Sequence, residues 1–373
     1  MEPEIMEVNQ SEAPAAKRSV GAVIGRILGR IAIVLLETVL ILVIALYGVM
    51  FVLAKGPSPT ARNLFVMSVR ETSAIGFLAN LYFTEEEILE IEAGNQMIEE
   101  YHETDTSLIT ITRPEDQEGQ SEEEPVADKW GLIDEDGDGI IIDEVKGEGY
   151  SGYMMVVLDP SRVIVGTVPE MYEVSGFTVE EMVKEFDAVA GINAGGFEDP
   201  NGNGDGSIPN TLVVYEGDLY YGFKGSMRGF AGLDRDGVLH VGELTARQVE
   251  ERNLQYGVCF GPVLLSNGAP AIPDSMTGGL NPRTAIGQRE DGAILMLVID
   301  GRQAISIGAT YQDLINVFLE YGAVNACNLD GGSSSMMWYR DGYINNCASV
   351  IGVRKIPTTF LVLKEGVNTN GEN

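Results

Sequence analysis

Ile31 to Leu53 is a nearly unbroken apolar run, and no other stretch limits what this chain can fold into so sharply. At ~1.5 Å per residue a helix of this length crosses a ~30 Å hydrocarbon layer, and it satisfies its own backbone polar groups there. The run is longer than the apolar part of a cleaved signal peptide, and Val52-Leu53-Ala54 makes a poor cleavage site, so an uncleaved anchor is expected. Lys17, Arg18, Arg26 and Arg30 precede the run, against Lys55, Arg62 and Arg70 beyond it. This bias assigns residues 1–30 to a cytoplasmic tail, residues 31–53 to the membrane and the remainder to the extracytoplasmic side. Glu37 lies in the first third of the span, from where an ionised side chain can snorkel to the cytoplasmic interface.

Composition divides the chain beyond the span. Pro57-Ser58-Pro59-Thr60 breaks the helix, and Ser68 to Met97 carries apolar residues near helical spacing, with Thr84-Glu85-Glu86-Glu87 as a capping-box start. Arg113 to Ala127 is an acidic, proline-containing stretch. Residues 54–126 therefore read as a helical stalk and linker, residues 127–365 as the main domain and residues 366–373 as a tail. Within 127–365, short β-rich segments recur, from Tyr153 to Leu158 through to Thr358 to Leu363. Helical patterns are confined to Thr178 to Phe186, Thr245 to Arg252 and Tyr311 to Tyr321. Many turn-linked strands with few helices predict an α+β domain built on a largely antiparallel mixed sheet, behind one transmembrane helix.

Asp and Glu total 56 against 24 Lys and Arg, a formal charge of -32, which argues against nucleic acid as a partner. Two histidines, His102 and His240, leave little room for a histidine-rich metal site or a Ser-His relay. Cys259, Cys327 and Cys347 lack metal-ligand spacing; buried thiols are expected, with a Cys327–Cys347 bridge as the alternative.

Function points to four loops. Asn328-Leu329-Asp330-Gly331-Gly332-Ser333-Ser334-Ser335 sets a carboxylate at the end of an apolar run, ahead of two glycines that let a ligand approach bare backbone. Gly191-Ile192-Asn193-Ala194-Gly195-Gly196-Phe197 repeats the design, while Asn281-Pro282-Arg283-Thr284-Ala285-Ile286-Gly287 and Val298-Ile299-Asp300-Gly301-Arg302 each place an arginine at a turn. Taken in order with Gly261-Pro262-Val263-Leu264-Leu265-Ser266-Asn267-Gly268, these segments resemble the phosphodiester glycosidases related to the uncovering enzyme that removes N-acetylglucosamine from a sugar phosphodiester. The resemblance runs from about Tyr150 to Leu363. It implies hydrolysis between a sugar anomeric carbon and a phosphodiester oxygen.

Glycosidic cleavage is ordinarily run by two carboxyl groups, and Asp300 and Asp330, each ending a strand-like run, are the expected catalytic pair. Arg283 and Arg302 are expected to grip the phosphodiester, because a guanidinium meets two phosphate oxygens at once. Their alternative is structural pairing with those acids. Asn193, Ser333 and Ser334 would orient sugar hydroxyls or a phosphate oxygen, with the Gly195-Gly196 and Gly331-Gly332 amides as further donors. Gly308-Ala309-Thr310 reads as a helix cap before an anion site.

No cofactor is required by these patterns, and calcium is the one ion to weigh. Asp134-Glu135-Asp136-Gly137-Asp138-Gly139 alternates carboxylates before glycine, yet Val145 stands where a bidentate acid belongs, so a plain acidic turn outweighs the ion site. Asn201-Gly202-Asn203-Gly204-Asp205-Gly206 similarly has Leu212 at that place and reads as a cleft border. The leading expectation is a membrane-anchored hydrolase of sugar phosphodiesters in an envelope polymer or exopolysaccharide. The alternatives are a non-catalytic glycan-binding module of the envelope and a structural assembly protein.

Overall fold

The computed structural model describes residues 20–72, 75–95, 100, 102–111, 127–169, 174–200, 204–210, 212–222, 226–273, 278–349 and 352–366. Two units result, Met1–Ser58 and Pro59–Asn373. The first is helix α1 (Val20–Lys55), whose window from Ile24 has mean hydropathy 2.6 and none of its surface buried by protein. Its length and composition suit a membrane span.

The second unit begins with α2 (Pro59–Arg70) and α3 (Glu85–Gly94). Thr84 closes α3 with the expected capping box, its side chain accepting from the Glu87 amide while the Glu87 carboxylate accepts from the Thr84 amide. The strand-rich part opens with β1 (Ile140–Gly147), β2 (Tyr150–Val157), β3 (Val163–Thr167), α4 (Val179–Glu185), β4 (Ala188–Asn193), β5 (Val213–Tyr215) and β6 (Asp218–Tyr221). It continues through β7 (Ser226–Asp234), β8 (Leu239–Thr245), α5 (Ala246–Glu251), β9 (Leu254–Cys259), β10 (Val263–Ser266) and β11 (Ala269–Pro270). It closes with β12 (Arg283–Arg289), β13 (Ile294–Ile299), α6 (Tyr311–Glu320), β14 (Ala323–Asn328), β15 (Met337–Tyr339), β16 (Gly342–Tyr343) and β17 (Thr358–Leu363).

Three sheets form among the described residues, ordered β1-β2-β13-β12-β14-β10-β11, β16-β15-β4-β17-β3 and β6-β5-β9-β7-β8. The neighbouring strands pair antiparallel, as the α+β reading expects. Strand β13, Ile-Leu-Met-Leu-Val-Ile, is buried at every position because both of its faces are covered, which is why it lacks alternation. On one face Leu295 and Leu297 meet Leu314, Ile315 and Phe318 of α6. On the other, Met296 and Val298 join a cluster with Ile192 of β4 and Phe360 of β17. Full burial of one such side chain contributes about 1.5–3 kcal/mol.

Strands β4 and β9 carry no clear strand signal in the sequence because glycines interrupt them. The fold needs those glycines: a Cβ at Gly191 would lie 2.6 Å from Leu361 Cδ2, and one at Gly257 2.4 Å from Phe230 Cζ.

Residues from Pro59 onward fall within the second unit. The Glu100 amide donates to the Ala271 carbonyl at 2.8 Å, and the Asp105 amide to Asn267 Oδ1 at 2.9 Å. The proline-rich linker at 112–126 lies outside the described residues. Cys259 and Cys327 are buried and Cys347 is half-buried, and none of the three is in a disulfide, as the thiol reading expects rather than the Cys327–Cys347 alternative.

Candidate active site

Strand β12 runs antiparallel to both β13 and β14, with Arg283 opposite Ile299 and Ala285 opposite Asn328. The start of β12 therefore shares one sheet edge with the ends of β13 and β14, and Arg283, Asp300 and Asp330 arrive there together. The end of β4 reaches the same place, where the Asp330 amide donates to the Ala194 carbonyl at 2.9 Å.

Asn193 holds the loop from behind. It is fully buried; its Nδ2 donates to the Asp330 carbonyl at 2.6 Å, and its Oδ1 accepts from Thr284 Oγ1 at 2.8 Å and the Met336 amide at 3.1 Å. Through these contacts it holds the backbone on both sides of the glycine loop. The glycines are likewise demanded by close packing. A Cβ at Gly195 would lie 3.1 Å from Val258 Cβ, one at Gly196 2.7 Å from Asn210 Oδ1 and one at Gly331 2.9 Å from the Pro282 carbonyl. The Gly195 amide donates to Thr358 Oγ1 at 3.0 Å and the Gly332 amide to the Pro282 carbonyl at 2.9 Å, so both are engaged within the protein. Gly332 has φ +63°, where a side chain is strained, and a Cβ there would stand 3.2 Å from the Arg302 guanidinium.

Asp330 carries the most perturbed carboxyl. Burial pushes it up to about 7, overcoming hydrogen bonds from the Ser334 side chain and the Gly331 amide and the pull of the Arg354 cation; Asp199 adds to the rise. Asp300 is built differently. Its carboxylate, 3% exposed, accepts from Asn345 Nδ2 at 3.1 Å, the Asn346 amide at 2.9 Å and Asn346 Nδ2 at 2.8 Å. Asn345 in turn donates to the Ser335 carbonyl at 3.0 Å and accepts from the Met337 amide at 2.7 Å. These donors tie Asp300 to the segment that follows the Asp330 loop.

The two arginines are adjacent. Arg283 donates through Nε to the Ala309 carbonyl at 3.2 Å and through Nη2 to the Gly279 carbonyl at 2.6 Å and Glu71 Oε2 at 2.9 Å, and it lies 4.0 Å from the Tyr311 ring centroid. Arg302 Nη2 donates to Thr72 Oγ1 at 2.8 Å and Asn281 Oδ1 at 3.1 Å. Burial, and then the charge of Arg283, draws the Arg302 guanidinium below its ordinary range. Such a pair favours an anion. The anion present is Glu71, which also accepts from Asn281 Nδ2 at 2.8 Å and the Gly279 amide at 3.2 Å. Thr310 caps α6 with a capping box to Asp313, so that helix end serves the fold.

Sequence reasoning missed Glu71 and Thr72, hidden in what read as stalk, and Arg354. Arg354 Nη1 donates to Ser333 Oγ at 3.3 Å and Nη2 to Asp199 Oδ1 at 2.7 Å. The signal available was a cation at the entry to a strand near the glycine loops. Farther away, Asp134, Asp136 and Asp138 bring carboxylate oxygens within 4.8 Å of one another. Arg340 pairs with Asp136 and Asp138, and Asp134 accepts from the Gly137 and Gly139 amides, an arrangement of an acidic turn. In the second acidic loop residues 201–203 lie outside the described residues, and the Gly204 amide donates to Asp199 Oδ1 at 2.6 Å.

Residues 186–363 match the phosphodiester glycosidase family. The chain is 32% identical over 206 residues to YomE, an uncharacterized SPbeta prophage-derived protein of Bacillus subtilis, covering 52% of this chain and 30% of that protein. It is 30% identical over 176 residues to the N-acetylglucosamine-1-phosphodiester alpha-N-acetylglucosaminidase of Bos taurus, covering 42% of this chain and 32% of that enzyme. The chain thus spans about a third of the length of these relatives. The catalytic domain of the zebrafish N-acetylglucosamine-1-phosphodiester alpha-N-acetylglucosaminidase, described as auto-inhibited by its pro-peptide, superposes with TM-score 0.51 at 20% identity. That match covers 60% of this chain and 82% of the zebrafish domain, and it supports the shared fold.

Proposed function

We propose that this domain hydrolyses the glycosidic bond of a sugar-1-phosphodiester in an envelope glycan, held outside the cytoplasm by α1. The observation that carries the reading is an acid titrating near neutrality, Asp330, on a loop whose next glycines rest against the Arg302–Arg283 anion seat. The phosphodiester would take the seat, where guanidinium groups stabilise charge gathering on the departing phosphate. Asp330 would deliver its proton to the bridging oxygen as the bond from the anomeric carbon breaks, leaving a phosphomonoester, and water would complete the free sugar. The match of residues 186–363 to the phosphodiester glycosidase family and the likeness to the bovine enzyme support this chemistry. Nothing in the comparisons supports the narrower exopolysaccharide expectation.

Glu71 and Thr72 occupy the seat in this structure, so the arrangement is a closed state in which a carboxylate of the chain stands where the substrate's phosphate would bind. The pro-peptide auto-inhibition described for the zebrafish domain supports that reading. The test is release of sugar from a panel of sugar-1-phosphodiesters by the full chain and by Asp330→Asn. Turnover that depends on Asp330 supports the enzyme. Tight binding of a phosphodiester without turnover by the unaltered chain would instead establish the glycan-binding module.

A further inference from the structure

Arg354 stands 8% exposed between two loops that the sequence keeps far apart. Its Nη2 reaches Asp199 Oδ1 at 2.7 Å and the Gly204 carbonyl at 3.3 Å, its Nη1 reaches Ser333 Oγ at 3.3 Å, and its guanidinium carbon lies 5.5 Å from the Phe197 ring centroid. One planar group therefore ties the loop after β4 to the loop after β14. The charged side chains bearing on Asp330 among the described residues are Arg354 and Asp199 on this flank. On the other flank Arg302 stands against Gly332, with Arg283 and Glu71 behind it.

An acid that must hold a proton at working pH is poorly served by a lone arginine, which would favour its ionised form. Pairing that arginine with a second carboxylate resolves the conflict. The guanidinium keeps its hydrogen bond to the loop while its charge is largely neutralised, so burial is left to dominate at Asp330.

We propose that Asp199 and Arg354 form a positioning pair for the catalytic loop, in which Arg354 fastens Ser333 and Asp199 quenches the cation so that Asp330 retains its proton. The inference rests on the reading of Asp330 as the acid. It assigns opposite roles to the two partners. Without Asp199 the cation acts on Asp330 unopposed; without Arg354 an unpaired Asp199 repels a second negative charge.

The decisive measurement is the carboxyl carbon resonance of Asp330, assigned by its loss in Asp330→Asn, titrated in the full chain in detergent micelles. Asp199→Asn should lower the Asp330 midpoint by about one pH unit and Arg354→Gln should raise it by about one unit. Arg354→Lys, which keeps the charge, should stay close to the unaltered chain. Where turnover is measurable, the limb of the pH–kcat profile assigned to Asp330 should follow the same directions. Shifts of the same sign in Asp199→Asn and Arg354→Gln, or midpoints that do not move, would overturn the proposal. Because the resonance reports protonation and not turnover, a chain without glycosidase activity would sink the functional reading while leaving the pair's effect on Asp330 measurable.

Discussion

Asp300 and Asp330 follow the two strands that flank β12 and each precedes a glycine, yet the chain surrounds them in contrary ways. Three donors from Asn345 and Asn346 converge on Asp300. At Asp330 burial outweighs the two hydrogen bonds and the nearby cation, and the carboxyl is pushed up to about 7. Where desolvation exceeds the donors, as at Asp330, a carboxyl takes up its proton more readily than an exposed one.

The contrast is broken most directly at Asp330. Asp330→Asn should lower kcat by ~10²–10⁴-fold with the fold intact, as expected for a lost proton donor. The same change should stabilise the protein at alkaline pH. The folded-state value of about 7 lies above the ordinary carboxyl range, so stability of the unaltered chain falls as pH rises from that range through about 7. Above that window the asparagine variant should be more stable by about 1–3 kcal/mol in urea unfolding. Equal stability at pH 8 would show that the carboxyl is not desolvated.

Arg302→Ala comes next in size. Losing one charge-assisted contact should raise KM by about 10–100-fold, with a smaller change in kcat. An unchanged KM would remove the anion seat from the site. Asp300→Asn should cost about 1–3 kcal/mol of stability, because the new amide sets a donor against the donors already converging there. Its activity should follow the folded fraction, and an intact fold with abolished turnover would restore Asp300 to the chemistry. Smallest is Glu71→Gln, which keeps shape and removes charge. It should lower KM several-fold, by weakening an internal competitor worth about 1 kcal/mol. An increase in KM would mean that Glu71 assists the seat rather than blocking it.

How much of this was legible in the sequence depends on which forces are local. Strand β17 (Thr358–Leu363) and the threonine caps of α3, α4, α5 and α6 are visible because apolar patterning and capping boxes are short-range. The convergence of Arg283, Asp300 and Asp330 was legible from the strand-end motifs alone. The division of labour was not, because Asn345 meets Asp300 from 45 residues away and Asn193 meets Met336 from 143. Glu71 was invisible for the same reason, with 212 residues separating it from Arg283.

The Asn193 clamp has a consequence for motion. Its amide joins the end of β4 to Thr284 on β12, to the Asp330 carbonyl and to the Met336 amide, so the glycine loop is tied at both ends onto buried strands. Exposure of the Met336 amide hydrogen is then expected to need the strands to part. Hydrogen exchange at Met336 should therefore report the global opening free energy, although the residue closes a glycine-rich loop. The loop borrows its rigidity from the core, and the two are expected to open as one cooperative unit.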